Sequence, residues 1–183
     1  MTARSFAAAI AALAFTATAP ADTLRFSNTA SRIEFACAKK GGACTGQFKR
    51  FAGTVTLAGD NFAEAKFAFE IELDSLKADN DKFTALLASP EFFDAHNHPI
   101  ARFVSRRIRV VSGDGPESHL ILGDLTFHGV TRDVRIPVAA AATPGGLKLI
   151  GEFVIHRKDF GLAAGEKTGN DEIKLTLTLH AGR

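Results

Sequence analysis

Asp94, His96 and His98 stand at alternate positions just before Pro99. On an extended segment that spacing projects one carboxylate and two imidazoles to the same side, a donor set that suits zinc and related divalent ions. The plainer use of such a run in a proline-bounded connection is a solvated turn, and no metal is expected there. Asp124, Thr126 and His128 share one face of a strand by the same two-residue period. They read as a hydrogen-bonded structural cluster at a strand end rather than as catalytic machinery. A hydrolase would need a nucleophile beside the histidine, and the chain has no Gly-x-Ser-x-Gly elbow. No residue is therefore assigned to catalysis. A small metal-dependent or hydrolytic enzyme drawing on Asp94, His96, His98 or His128 stands as the alternative reading.

Arg157 follows Phe153 and Ile155 at the same parity, which aims it at an apolar interior or its mouth. A buried guanidinium needs a partner, and Asp159, Asp124 or a ligand head group are the candidates. Arg102, Arg106, Arg107 and Arg109 make a basic ridge on one segment. It reads as a solvated face, and any further use suits an anionic membrane surface or lipid head group. Cys37 and Cys44 are the only cysteines. Their spacing is not that of a CxxC motif and no histidine lies near them in sequence, so a disulfide is expected in preference to a metal or redox site. Such a link stabilises a short loop by roughly 2.5 kcal/mol.

The elements that must position these groups begin after an amino-terminal leader. Met1-Thr2-Ala3-Arg4 precedes an apolar run from Phe6 to Phe15 and small residues at Ala17, Ala19 and Ala21. This is the pattern of a secretory signal peptide, with cleavage expected after Ala21. Residues 1–21 are thus assigned to the leader and 22–183 to one domain of 162 residues, long enough to bury a sizeable core. No second apolar span follows, so the exported domain is expected to be soluble. Its charge is close to neutral, with 22 basic and 20 acidic residues in the whole chain. That balance argues against nucleic acid as a partner.

Eight segments alternate apolar and polar residues, the signature of strands with one buried face. They run over residues 31–37, 45–57, 65–73, 100–111, 119–127, 132–141, 147–157 and 172–180. Between the third and fourth, Asp79, Asn80 and Asp81 offer helix caps, and Phe83, Leu86 and Leu87 recur at helical spacing before Pro90. The expected fold is all-β: eight antiparallel strands with a short helical insertion, closed as a barrel or packed as a two-sheet sandwich. All 16 aromatic residues are Phe, with no Tyr or Trp, so the inward faces carry aromatic surface without hydroxyls.

Three phrases, in this order and at these intervals, carry a family resemblance. They are Ser89-Pro90-Glu91-Phe92-Phe93-Asp94 leading to Pro99 and Phe103, Asp124-Leu125-Thr126-Phe127-His128-Gly129-Val130-Thr131, and Arg157-Lys158-Asp159-Phe160-Gly161. Together they resemble the YceI-like family of periplasmic polyisoprenoid-binding proteins over nearly all of the exported chain. The resemblance implies an eight-stranded lipocalin-like barrel holding a polyisoprenoid or similar amphiphile lengthwise, without a cofactor. The expected ligand contacts are Phe35, Phe48, Phe67, Phe69, Leu86, Leu87, Phe92, Phe93, Phe103, Leu125, Phe127, Phe153, Ile155, Arg157 and Phe160. Two departures from the family pattern stand out: the Cys37–Cys44 loop replaces a histidine-containing turn, and Phe83-Thr84 with Leu86-Leu87-Ala88 replaces charged and polar residues. Other amphiphiles, such as a quinone or a fatty amide, therefore remain candidates, as do a transient contact with a membrane surface and a homodimer.

Overall fold

The computed structural model describes residues 21–39, 42–59, 61–90, 92–111, 118–162 and 171–183. The leader expected over residues 1–21 lies outside them except for Ala21, which opens the first strand. Eleven strands and one helix follow: β1 (Ala21–Phe26), β2 (Arg32–Lys39), β3 (Gly42–Phe48), β4 (Phe51–Ala58), β5 (Asn61–Glu72), β6 (Leu76–Ala78), α1 (Asp81–Ala88), β7 (Ile100–Val110), β8 (His119–Phe127), β9 (Val130–Thr143), β10 (Gly146–His156) and β11 (Glu172–Gly182).

The strands form one antiparallel sheet in the order β1-β4-β5-β7-β8-β9-β10-β11, and β11 returns to β1 through Arg25 opposite Gly182 and Phe26 opposite Ala181. The result is a closed eight-stranded barrel, so the expected architecture holds and the sandwich does not. Above β1, the same edge of β11 pairs with β2 over residues 173–178, and β3 and β6 continue outward from β2. Three barrel positions are therefore each built of two strands: β1 with β2, β4 with β3, and β5 with β6.

This corrects the strand count. The expected single strand over residues 45–57 is broken at Lys49 and Arg50, whose N–H groups donate to the buried Ser75 hydroxyl at 3.2 and 2.9 Å. That hydroxyl in turn donates to the Glu72 carbonyl at 2.6 Å. A side chain from a turn some 25 residues downstream thus takes over bonds that a continuous ladder would have made, and β1 and β6 were too short to register as separate periodic segments.

α1 is capped by the Asn80 side chain, which accepts from the Phe83 N–H at 2.9 Å. It packs on β6 and buries Leu87. Phe93 N–H donates to Leu87 O at 3.0 Å and Ala95 N–H to Ala88 O at 3.1 Å, folding the next segment back along the helix. The helix and this segment close the end of the barrel at which the β8–β9 turn lies. The Cys37–Cys44 disulfide forms between residues directly opposed on β2 and β3, with a Cα–Cα distance of 5.2 Å. Residues 40–41 of the intervening turn lie outside the described residues. No helix among the described residues is long and apolar enough to cross a membrane.

Candidate functional site

Because successive side chains of a strand point to opposite faces, every second residue enters the barrel. These inward residues enclose a cavity of about 110 Å³. β2 contributes Ile33 and Phe35, β3 Phe48, β5 Phe67, Phe69 and Ile71, β7 Ala101 and Phe103, and β8 Ile121, Leu125 and Phe127. Ile136 and Val138 come from β9, Leu149, Phe153 and Ile155 from β10, and Ile173, Leu175, Leu177 and Leu179 from β11. Phe26, Leu73 and Phe93 complete the wall, so every lining residue is apolar.

The Phe rings make two connected groups. Phe26, Phe51, Phe62, Phe67 and Phe69 pack at ring separations of 5.3–6.3 Å. Phe35, Phe48, Phe93, Phe127 and Phe160 pack at 5.3–6.5 Å. The cavity has walls from both groups. Three of its rings lie against glycine in the neighbouring strand: a Cβ at Gly46 would come within 2.4 Å of the Phe35 ring, one at Gly53 within 2.3 Å of Phe69, and one at Gly123 within 2.7 Å of Phe103. Glycine at these positions lets the backbone of one strand sit under an aromatic ring of the next.

Ten of the fifteen expected contacts line the cavity: Phe35, Phe48, Phe67, Phe69, Phe93, Phe103, Leu125, Phe127, Phe153 and Ile155. Leu87, Phe92 and Phe160 are buried beside it in the surrounding core, and Leu86 is half-buried on α1. Arg157 is 3 % exposed but does not reach the cavity. The strand ends at His156 and Arg157 begins a single 3₁₀ turn, so the parity that aimed it inward stops one residue too early. Burial lowers its pKa from the usual arginine value, and the charge of Asp171 opposes that shift. The carboxylate whose charge acts on Arg157 is thus Asp171, and neither Asp159, which is exposed, nor Asp124, which pairs with Arg106 at 3.4 Å. The lining residues not assigned beforehand are Phe26, Leu73 and aliphatic side chains of β2, β5 and β7 to β11, and those on the strands do alternate in sequence. Only closure of the barrel distinguishes them from an ordinary one-sided sheet face.

The polar candidates regroup. Asp124 faces outward, and Thr126 Oγ1 lies 2.8 Å from Thr131 Oγ1 on the exposed surface. His128 parts from both, because its φ of +52° takes it out of the strand and into the turn. Its Nδ1 meets the Phe160 carbonyl at 3.2 Å, and its ring centroid lies 4.5 Å from that of His98. Asp94, also at positive φ (+45°), starts a turn closed by His98 N–H donating to Asp94 O at 2.8 Å. The segment is therefore not extended: Asp94 and His98 come to one side and His96 is left exposed. Asp94, His98 and His128 each offer a ligand atom, all within 4.8 Å of one another.

The arginine ridge is partly neutralised. Arg102 pairs with Glu70 at 2.8 Å, and Arg106 bridges Asp124 and Asp133.

The fold has counterparts among known proteins. The structure of Burkholderia cenocepacia BcnA superimposes with a TM-score of 0.75 at 23% identity, covering 85% of this chain and 98% of that one. A polyisoprenoid binding domain from Saccharophagus degradans, implicated in plant cell wall breakdown, aligns at a TM-score of 0.69 and 16% identity, over 87% and 97% of the two chains. In sequence, a UPF0312 protein of Photorhabdus laumondii is 33% identical over 89 residues, a match spanning 49% of this chain and 44% of that relative. Protein YceI of Escherichia coli is 30% identical over 140 residues, covering 73% of this chain and 71% of its own length. The model of the YceI-like domain matches residues 24–181, all but the outermost residues of the barrel, and with that the chain belongs to the YceI-like family.

Proposed function

We propose that this protein is exported to the periplasm, where it binds and carries a long apolar molecule of isoprenoid type inside the barrel and does no chemistry on it. The observation that carries the reading is the cavity, whose wall contains no polar side chain. Such a site rewards apolar surface and penalises any group that must lose hydrogen bonds to enter. A five-carbon isoprene unit contributes up to roughly 4 kcal/mol on leaving water, at ~0.8 kcal/mol per CH₂. Set beside an apolar cavity of about 150 Å³ that takes a benzene-sized guest, the 110 Å³ here suits a single short segment of chain. A longer chain would place one such segment in the cavity, lengthwise between the two aromatic groups, with the remainder running out of it. Selectivity over the bilayer, which is as apolar, rests on the shape of this slot.

Ten contacts are assigned to the ligand: Phe35, Phe48, Phe67, Phe69, Phe93, Phe103, Leu125, Phe127, Phe153 and Ile155. The signal-peptide pattern read from residues 1–21 of the sequence and the Cys37–Cys44 disulfide support an oxidising, extracytoplasmic location. A structural neighbour described as a polyisoprenoid binding domain supports the choice of ligand class.

Native mass spectrometry after incubation with a C40–C55 prenol, a quinone or a fatty amide tests the reading. One ligand retained per chain is the expected result. A mass that none of the three changes would overturn the carrier function.

A further inference from the structure

The geometry points to a divalent transition-metal site formed by Asp94, His98 and His128 at the α1 end of the barrel. Three ligand atoms from two separate segments lie within 4.8 Å of one another. A tetrahedral zinc site with bonds of about 2.0–2.1 Å has edges of about 3.3 Å, so modest side-chain rotations close the set around an ion. Two imidazoles and one carboxylate suit zinc, copper, nickel or iron rather than calcium or magnesium.

The surroundings hold each ligand ready. His128 Nδ1–H donates to the Phe160 carbonyl at 3.2 Å, which leaves the lone pair on Nε2 for a metal. Both carboxylate oxygens of Asp94 accept from Asn97 Nδ2 at 3.0 Å, fixing the carboxylate plane. Gly129 admits the His98 ring, since a Cβ there would stand 3.0 Å from His98 Cε1. The two positive-φ residues that are not glycine among the described residues, Asp94 and His128, are both members of the set. Non-glycine residues persist in that region only where their surroundings hold them there.

A bound ion would tie the segment after α1 to the β8–β9 turn, and through Phe160 to the turn after β10. The first two join the cavity wall through a neighbouring residue, Phe93 or Phe127, and Phe160 packs on Phe127 at a ring separation of 5.6 Å. Three protein ligands leave at least one coordination position for water or an oxygen donor. The site stands on its own geometry, whether or not the cavity takes an isoprenoid.

Protein purified without a histidine tag and stripped with a chelator is titrated with Zn²⁺ alone by calorimetry, and with Co²⁺ followed by visible absorption. One ion per chain is expected. His98→Ala and His128→Ala should each weaken binding at least tenfold, Asp94→Asn should weaken it while keeping the Asn97 contact, and His96→Ala should leave it unchanged. Circular dichroism of each stripped variant establishes that it is folded, and prenol binding by mass spectrometry is recorded separately. Absence of stoichiometric binding would sink the site. So would equal loss in His96→Ala and His128→Ala, because that pattern marks an exposed histidine cluster.

Discussion

Gly53→Ala should destabilise the barrel by about 1–2 kcal/mol, although alanine is the better strand residue. The new methyl carbon would lie 2.3 Å from Phe69 Cδ2, 2.7 Å from Cε2 and 3.0 Å from the Ala68 carbonyl oxygen. Ordinary contacts begin near 3.4 Å, so the ring must retreat by about 1 Å. It is not free to do so, because its centroid lies 5.6 Å from that of Phe51 and 5.3 Å from that of Phe26. Overpacking of this kind costs about 1–3 kcal/mol, and the backbone entropy alanine saves returns about 0.5–1. The clash has one principal partner, so Phe69→Leu should relieve much of it. Relative to the two single changes, the double variant should show a favourable coupling of about 1 kcal/mol or more. Urea unfolding followed by far-ultraviolet circular dichroism is the assay, since a chain without Trp or Tyr offers little intrinsic fluorescence. A neutral or stabilised Gly53→Ala, or energies that add within about 0.5 kcal/mol, would refute the idea that glycine is there to admit the ring.

Ser75→Ala removes a hydroxyl that accepts from Lys49 and Arg50 N–H and donates to Glu72 O, and should cost about 1–3 kcal/mol in the same urea assay. Cys37→Ser with Cys44→Ser should lower stability by roughly 2.5 kcal/mol without changing the circular dichroism spectrum at 20 °C. His119 is held below the ordinary histidine pKa of about 6.5 by burial against Phe62, at a ring separation of 4.5 Å. The unfolded chain therefore binds this proton more readily: the contribution to stability is complete above pH 6.5 and declines as the pH falls through 6.5 toward the lower folded value. His119→Gln should flatten the unfolding free energy over that window, and an unchanged profile would show that His119 does not control it. Leu149→Ala, at a residue 2 % exposed on the cavity wall, should cost about 2–5 kcal/mol and enlarge the cavity, measured by unfolding and by the binding of a small apolar probe.

Alternation of period two is a local property, so β5 and the strands from β7 to β11, and the side of each that enters the core, were legible residue by residue. The capping residues before α1 and the disulfide were legible for the same reason, since each depends on neighbours within about eight positions. The motifs around Phe93, His128 and Arg157 also identified the family, and with it a closed barrel in place of a sandwich.

What the sequence could not carry were events set by residues far apart. Ser75 breaks the long strand at Lys49 from across a turn, and β11 divides its edge between β1 and β2. Parity misled wherever a strand ended early. Arg157 leaves β10 for a 3₁₀ turn and meets the field of Asp171, and His128 turns away from Asp124 and Thr126. His128 instead joins Asp94 and His98, thirty or more positions upstream, and no periodicity links those segments. Their meeting depends on α1 and the chain after it folding across the barrel end. Inward Phe residues are likewise identical in sequence whether they fill a core or wall a cavity. Barrel circumference and the glycines beneath the rings decide that, and both exist only once the sheet has closed.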